Sequence, residues 1–148
     1  MDFKVALKNG VFLMRLDGST KKEIIEEMVD ALVRAGKLPD KAEALKAVLD
    51  RELKMSTGIQ HGVAIPHGKI STIQTLVTAL GVKQEGVDFG ALDGEVSRIF
   101  VMTISPVIQT GPHLKYLAEI CRVLDDDDVR DRLLGAQTPD QMVAILTE

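Results

Sequence analysis

Thr57-Gly58-Ile59-Gln60-His61-Gly62-Val63-Ala64-Ile65-Pro66-His67-Gly68-Lys69 is apolar, punctuated by glycine and nearly free of charge, yet it closes on a histidine and a lysine. Pro66 fixes its own φ at about −65° and biases Ile65 toward an extended shape. Gly68 frees the backbone just after His67. The spacing predicts an apolar extended run over Val63 to Ile65 that stops abruptly and presents an imidazole at its end. A neutral imidazole is a nucleophile and a base near pH 7. Arg51 and Lys69 bracket the segment with positive charge and are placed to attract an anion. A lone histidine also serves as a capped turn residue or a satisfied core group, so the type of residue does not decide its role.

Outward from that stretch, the pattern is helical on the N-terminal side. Residues 1–10 carry no clear signal and are expected to be loosely held. Residues 11–16 read as a short strand and Asp17-Gly18-Ser19 as a turn. Thr20 with Glu23 has capping-box spacing, and Ile24, Ile25, Met28, Val29, Leu32 and Val33 recur on one helical face that Gly36 should terminate. Asp40 with Glu43 opens a second helix, with Leu45, Val48, Leu49 and Leu53 on its inner side. Arg51 falls in its final turn, where a cation complements the carbonyl end of the helix. That capping role and an anion clamp reaching toward His67 are alternative readings of Arg51.

On the C-terminal side, residues 75–82 and 98–104 are β-rich and almost continuously apolar, the pattern of interior strands. Residues 83–90 between them read as a polar, turn-prone connection. Gly111-Pro112-His113 leads into Leu114, Leu117, Ile120, Cys121 and Leu124 at helical spacing, with His113 beside the helix N-terminus. The run Asp125 to Asp128 reads as a solvated turn whose last members cap a helix carrying Val129, Leu133 and Leu134. Thr138-Pro139-Asp140-Gln141 starts a last helix. Strands and helices mix without strict alternation, which predicts one α/β domain over residues 1–148, core about 11–146, with a mixed sheet flanked by helices.

Composition narrows the functional classes. The chain has 148 residues, four Phe, one Tyr, no Trp and a net charge of −4. Scarce aromatics leave few stacking platforms for single strands, and the negative charge opposes general polyanion binding, so nucleic acid is not an expected partner. The single cysteine, Cys121, excludes an internal disulfide and fits a small buried core residue. No run approaches the roughly 18 apolar residues of a membrane span, and residues 1–4 lack a signal-peptide core. A cytoplasmic address is expected, with no direct membrane insertion.

Arg51, His67 and His113 are the polar groups that this arrangement would bring together if both apolar strands are central. Such a set suits transfer of a phosphoryl group between histidines. His67 would attack phosphorus, and Arg51, His113 and loop N–H groups would hold the equatorial oxygens. Ile59, Val63, Ala64 and Ile65 would supply an apolar rim against hydrolysis. With no Walker-type loop or kinase motif set, the phosphoryl group must come from another protein. A zinc hydrolase using His61, His67 and His113 is a rival reading, and it lacks a carboxylate or Cys at a usual ligand spacing. His61 itself reads as a loop residue.

From about Val11 to Leu146 the chain resembles the type 2 IIA domains of the phosphoenolpyruvate-dependent sugar phosphotransferase system, which include fructose, mannitol and nitrogen-regulatory members. The resemblance rests on Arg51-Glu52, Thr57-Gly58-Ile59 and Gly62-Val63-Ala64-Ile65-Pro66-His67-Gly68. Gly86-Val87-Asp88-Phe89, Leu92-Asp93-Gly94 and His113-Leu114 with Leu117-Ala118 support it. It implies that His67 is phosphorylated on Nε2 by the phosphocarrier HPr and passes the group to a IIB domain. It also implies that Arg51 and His113 surround the phosphate, and that neither metal nor nucleotide cofactor is needed. Gln60 stands where many members carry glycine, which narrows the φ range of the loop there. A regulatory protein of the same fold, in which the charge state of His67 switches binding to a partner, is the alternative function.

Overall fold

The computed structural model describes residues 2–148. In chain order the elements are α1 (Phe3–Lys8), β1 (Val11–Leu13), α2 (Lys21–Arg34), α3 (Lys41–Lys54), β2 (Val63–Ala64), β3 (His67–Ile70), β4 (Val77–Val87), β5 (Ser97–Pro106), α4 (Thr110–Leu124), α5 (Asp127–Gly135) and α6 (Pro139–Leu146). The sheet runs β1-β4-β5-β2, and β3 also pairs with β5. β4 and β5 are antiparallel, whereas β1 on β4 and both β2 and β3 on β5 are parallel. The expected mixed α/β sheet is therefore present, with β4 and β5 at its centre. Among the described residues no helix is long and apolar enough to cross a membrane.

The alternation of β5 shows how the layers are built. Phe100, Met102 and Ile104 point into a core shared with Ile24, Met28 and Leu32 of α2 and Val48 of α3. Ile99 and Val101 point the other way, into a core with Ile120 of α4, Leu133 of α5 and Met142 of α6. A strand covered on both faces reads as one continuous apolar run, which is why its sequence shows no alternation. The N-cap half of each capping box forms, while Glu23 accepts instead from the Ser19 N–H and Glu43 from Ser71 and Thr72. Thr20 accepts from the Glu23 N–H and Asp40 from the Glu43 N–H, at 3.2 and 3.0 Å. At the end of α2, Gly36 takes φ +75°, and Lys37 N–H closes on the Leu32 carbonyl at 2.9 Å, a left-handed stop that favours glycine.

Several expectations are corrected. Residues 2–10 are not loose: Asp2 caps α1, and Leu7 is fully buried, while residue 1 lies outside the described residues. A helix of six residues is too short to display a period. The first strand ends at Leu13 rather than at residue 16. Residues 83–90 are not simply a connection, because β4 continues to Val87 through a register shift between Val82 and Val87. Gln84 and Glu85 lie exposed there, and Gln84 Nε2 donates to the Leu134 carbonyl at 2.6 Å, so their polarity belongs to the outer side of a strand and not to a turn. Leu53 is 85% exposed and does not line the inner side of α3. Cys121 is half-buried and borders a cavity. In the acidic run the cap is Asp126, which accepts from Asp128 and Val129, and not one of the last members.

Gly68 also differs from expectation. Its φ is not in the left-handed region. What it provides is proximity: a Cβ there would stand 3.1 Å from the carbonyl carbon and Cβ of Ala47 and the nitrogen of Val48. Gly68 thus lets α3 lie directly on β3. Gly68→Ala should push the helix away at a cost of about 1–3 kcal/mol, and lower the midpoint of thermal unfolding by about 2–4 °C per kcal/mol. An unchanged melting curve would show that α3 has room to spare.

Candidate functional site

The segment leading to His67 is tied at its base by backbone hydrogen bonds. Ile59 N–H donates to the Val63 carbonyl at 2.8 Å and Ile65 N–H to the Thr57 carbonyl at 3.0 Å. The turn between them has His61 at φ +65° and Gly62 at φ +76°. Gln60 is not in that region, so the left-handed requirement falls on its neighbours and the glycine common at its position is not needed here. The Gly62 carbonyl accepts from Arg98 and Ile99 of β5, fixing the loop against the sheet.

His67 does not end an extended run; it opens one. β2 stops at Ala64, Pro66 offers no N–H and its carbonyl accepts from Thr103 at 3.1 Å. His67 then begins β3 in register with Thr103 of β5. The imidazole folds back so that Nδ1 stands 2.8 Å from the Ile65 carbonyl oxygen. A carbonyl can only accept, so the proton is on Nδ1 and the lone pair is on Nε2. Burial holds the His67 pKa below the ordinary histidine value; the Ile65 hydrogen bond opposes this, and the Arg51 charge adds to it. The ring is therefore neutral at pH 7.

His113 sits in the first turns of α4 and is only 3% exposed. Its ring centroid lies 5.4 Å from that of His67, at 55°, and its Nδ1 is 2.6 Å from Ser105 Oγ. Burial, followed by the neighbouring His67 and Lys69, pushes its pKa down to about 4. Arg51 lies in the last turn of α3 and donates from Nη1 to the Met55 carbonyl at 2.8 Å. It acts as a helix-end cation, and it also borders the same open depression as both histidines. That depression has a volume of about 430 Å³, with Lys54, Lys69, Leu114 and Leu117 around it. Lys69 is tethered by a 2.9 Å bond from Nζ to Thr110 Oγ1.

The apolar rim is not the expected one. Val63 and Ala64 are buried in the two cores, and Ile59 and Ile65 pack against the α4 side. Leu114, 60% exposed, and Leu117 take that place. Helical spacing alone does not say which of the apolar residues of α4 turn toward the depression. His61 is exposed, donates its N–H to Asp93 Oδ2 at 3.1 Å and borders a separate cavity with Leu92 and Cys121. The three histidines therefore do not converge as a zinc site would require.

Two side chains behind the site were given no role by the sequence. Ser105 is one. The other is Glu52, whose side chain is 4% exposed and pairs with Lys21 Nζ at 2.9 Å. It also accepts the Thr57 N–H at 3.2 Å and the Thr57 hydroxyl. A carboxylate at the carbonyl end of a helix is unfavourable in isolation, so its placement answers to these partners. It bolts the end of α3, and with it Arg51, to the start of the His67 segment. Only Arg51-Glu52 and Thr57 standing together in the motif could have hinted at this. Glu52→Ala leaves the part-buried Lys21 unpaired and Thr57 unbonded. The expected loss is about 3 kcal/mol, read as a lower midpoint in urea with unchanged slope. A midpoint equal to that of the unaltered chain would contradict the bolt.

Residues 5–148 match the family described as phosphoenolpyruvate-dependent sugar phosphotransferase system, EIIA 2. The chain is 34% identical over 130 residues to the fructose-specific EIIA component of Haloferax volcanii, covering 88% of this chain and 84% of that one. It is 32% identical over 142 residues to a nitrogen regulatory protein of Pseudomonas aeruginosa, covering 96% and 92%. It is also 33% identical over 135 residues, 91% of this chain, to the fructose-specific EIIABC component of Bacillus subtilis, and spans only 21% of that protein's length. The crystal structure of the nitrogen regulatory protein IIA-Ntr from Neisseria meningitidis superposes with a TM-score of 0.86 at 28% identity, covering 95% of this chain and 94% of that one. The chain belongs to the EIIA type 2 family of the phosphoenolpyruvate-dependent sugar phosphotransferase system.

Proposed function

We propose that the chain is a phosphocarrier in which Nε2 of His67 takes a phosphoryl group from an HPr-type protein and passes it to a IIB domain, in support of carbohydrate uptake. The observation that carries this reading is the 2.8 Å contact from His67 Nδ1 to the Ile65 carbonyl. It leaves Nε2 as the unprotonated nitrogen of a neutral ring that borders the depression. In the first step an N–P bond forms at Nε2 while the N–P bond of the donor phosphohistidine breaks, and the donor imidazole keeps the released electron pair. In the second step the same exchange runs toward the acceptor. No net oxidation occurs, and the proton stays on Nδ1, donated to the Ile65 carbonyl, throughout. Arg51 and His113 hold the equatorial oxygens as charge spreads over them. Leu114 and Leu117 exclude water from the labile intermediate. The cytoplasm, where donor and acceptor domains meet, is the setting this chemistry needs.

The similarity to nitrogen regulatory proteins supports a second reading of the same site. A phosphate on His67 adds about −1.5 to −2 charges, enough to make or break an interface with a regulated partner. Both readings require the chain to take up acid-labile phosphate from phosphoenolpyruvate through enzyme I and HPr. Delivery of that phosphate to a purified IIB domain supports transport. A chain that is labelled but cannot deliver it, and whose partner binding changes with labelling, supports regulation.

A further inference from the structure

β5 ends at Ser105 and Pro106, and the Ser105 side chain turns toward α4, where it is 1% exposed. Its Oγ stands 2.6 Å from Nδ1 of the buried His113. A hydroxyl can donate or accept at that distance, and a neutral imidazole carries a single ring proton, so two arrangements compete. If His113 donates from Nδ1, the Ser105 hydroxyl proton has no acceptor among the described residues, because Oγ makes no other hydrogen bond. A buried hydroxyl with an unplaced proton is costly. If Ser105 donates, its proton and the Nδ1 lone pair satisfy each other. The His113 proton then resides on Nε2, the ring nitrogen away from the buried contact.

His67 is the opposite case. Its Nδ1 faces a carbonyl, which forces the proton onto Nδ1. We infer that Ser105 is a positioning residue that holds His113 with its proton on Nε2, so that two facing imidazoles 5.4 Å apart carry opposite tautomers. His67 offers a lone pair from Nε2, and His113 offers a donor from Nε2. The use of that donor, a hydrogen bond to a phosphoryl oxygen, rests on the phosphocarrier reading; the geometry does not. The assignment matters because His113 is buried and neutral at pH 7. A neutral ring donates through one nitrogen only, and the partner behind it decides which.

Nitrogen NMR of the ring-labelled chain at pH 7, with no phosphoryl donor present, reads the tautomers directly. The expected spectrum has His67 protonated on Nδ1 and His113 protonated on Nε2, with His113 Nδ1 shifted as a hydrogen-bond acceptor. In Ser105→Ala that Nδ1 signal moves to an unbonded position. The rate of phosphoryl uptake from phospho-HPr falls about tenfold, the factor worth one ordinary neutral hydrogen bond, while the final extent of labelling is unchanged. Ser105→Thr keeps the hydroxyl and restores both readouts. A His113 proton on Nδ1 in the unaltered chain overturns the inference. So does a Ser105→Ala chain whose Nδ1 signal and uptake rate both stay as they were. Failure of His67 to be labelled at all would strike the phosphocarrier reading and leave the tautomer result standing.

Discussion

His67→Ala takes up no acid-labile phosphate from phosphoenolpyruvate, enzyme I and HPr, under conditions that load the unaltered chain to one phosphoryl group per molecule. The loss is expected to be complete, because neither remaining histidine can substitute. His113 has its Nδ1 engaged by Ser105 and is buried. His61 faces a different cavity. The substitution removes a half-buried ring at the start of a short strand and no large core contact, so the variant should keep its fold, as its circular dichroism would show. Undiminished labelling of a folded His67→Ala chain would move the acceptor elsewhere.

His113→Ala should slow uptake by about a hundredfold, the effect of deleting one preorganised donor to developing charge, without changing the final extent of labelling. A rate within twofold of the unaltered chain would reduce His113 to a packing residue. The same substitution carries a pH signature. The folded His113 pKa is depressed to about 4, against about 6.5 for an unfolded histidine. The folded state prefers the neutral ring, so above pH 6.5 protonation is equal in both states and has no effect. As pH falls from 6.5 toward 4 the unfolded chain binds a proton that the folded chain refuses, and stability drops by up to about 3 kcal/mol. Below 4 the loss is complete. Ala at this position removes that contribution. The variant starts less stable at neutral pH through its lost packing, and the gap to the unaltered chain should narrow across this window in urea titrations. A gap that stays constant from pH 7 to pH 4 would contradict the depressed pKa.

Local chemistry was legible in the sequence and long-range chemistry was not. The starts of α2, α3 and α6 follow from Thr20, Asp40 and Thr138, each bonding an N–H three residues on. The central strands follow from apolar runs. By contrast, α1 is too short to show a period, and the exposed half of β4 looks like a turn because its polar side chains meet solvent and distant polar partners such as the Leu134 carbonyl instead of an apolar layer. The left-handed residue His61 gave no sign of itself beside the more conspicuous Gln60. Within the site, Arg51, His67 and His113 could be named from spacing and family resemblance. Their supports could not: Lys21 is 31 residues from Glu52, and the helical spacing of Leu114 and Leu117 says nothing of what faces them. Ser105 looked like the end of a strand, because its partner is a side chain on the next helix.

The most direct test of the account is the site of phosphorylation itself. Phosphorus–nitrogen NMR of the loaded chain should place the phosphoryl group on Nε2 of His67, with the Nδ1 proton retained on its hydrogen bond to Ile65. A phosphoryl group on Nδ1 of His67, or on any other residue, would contradict it.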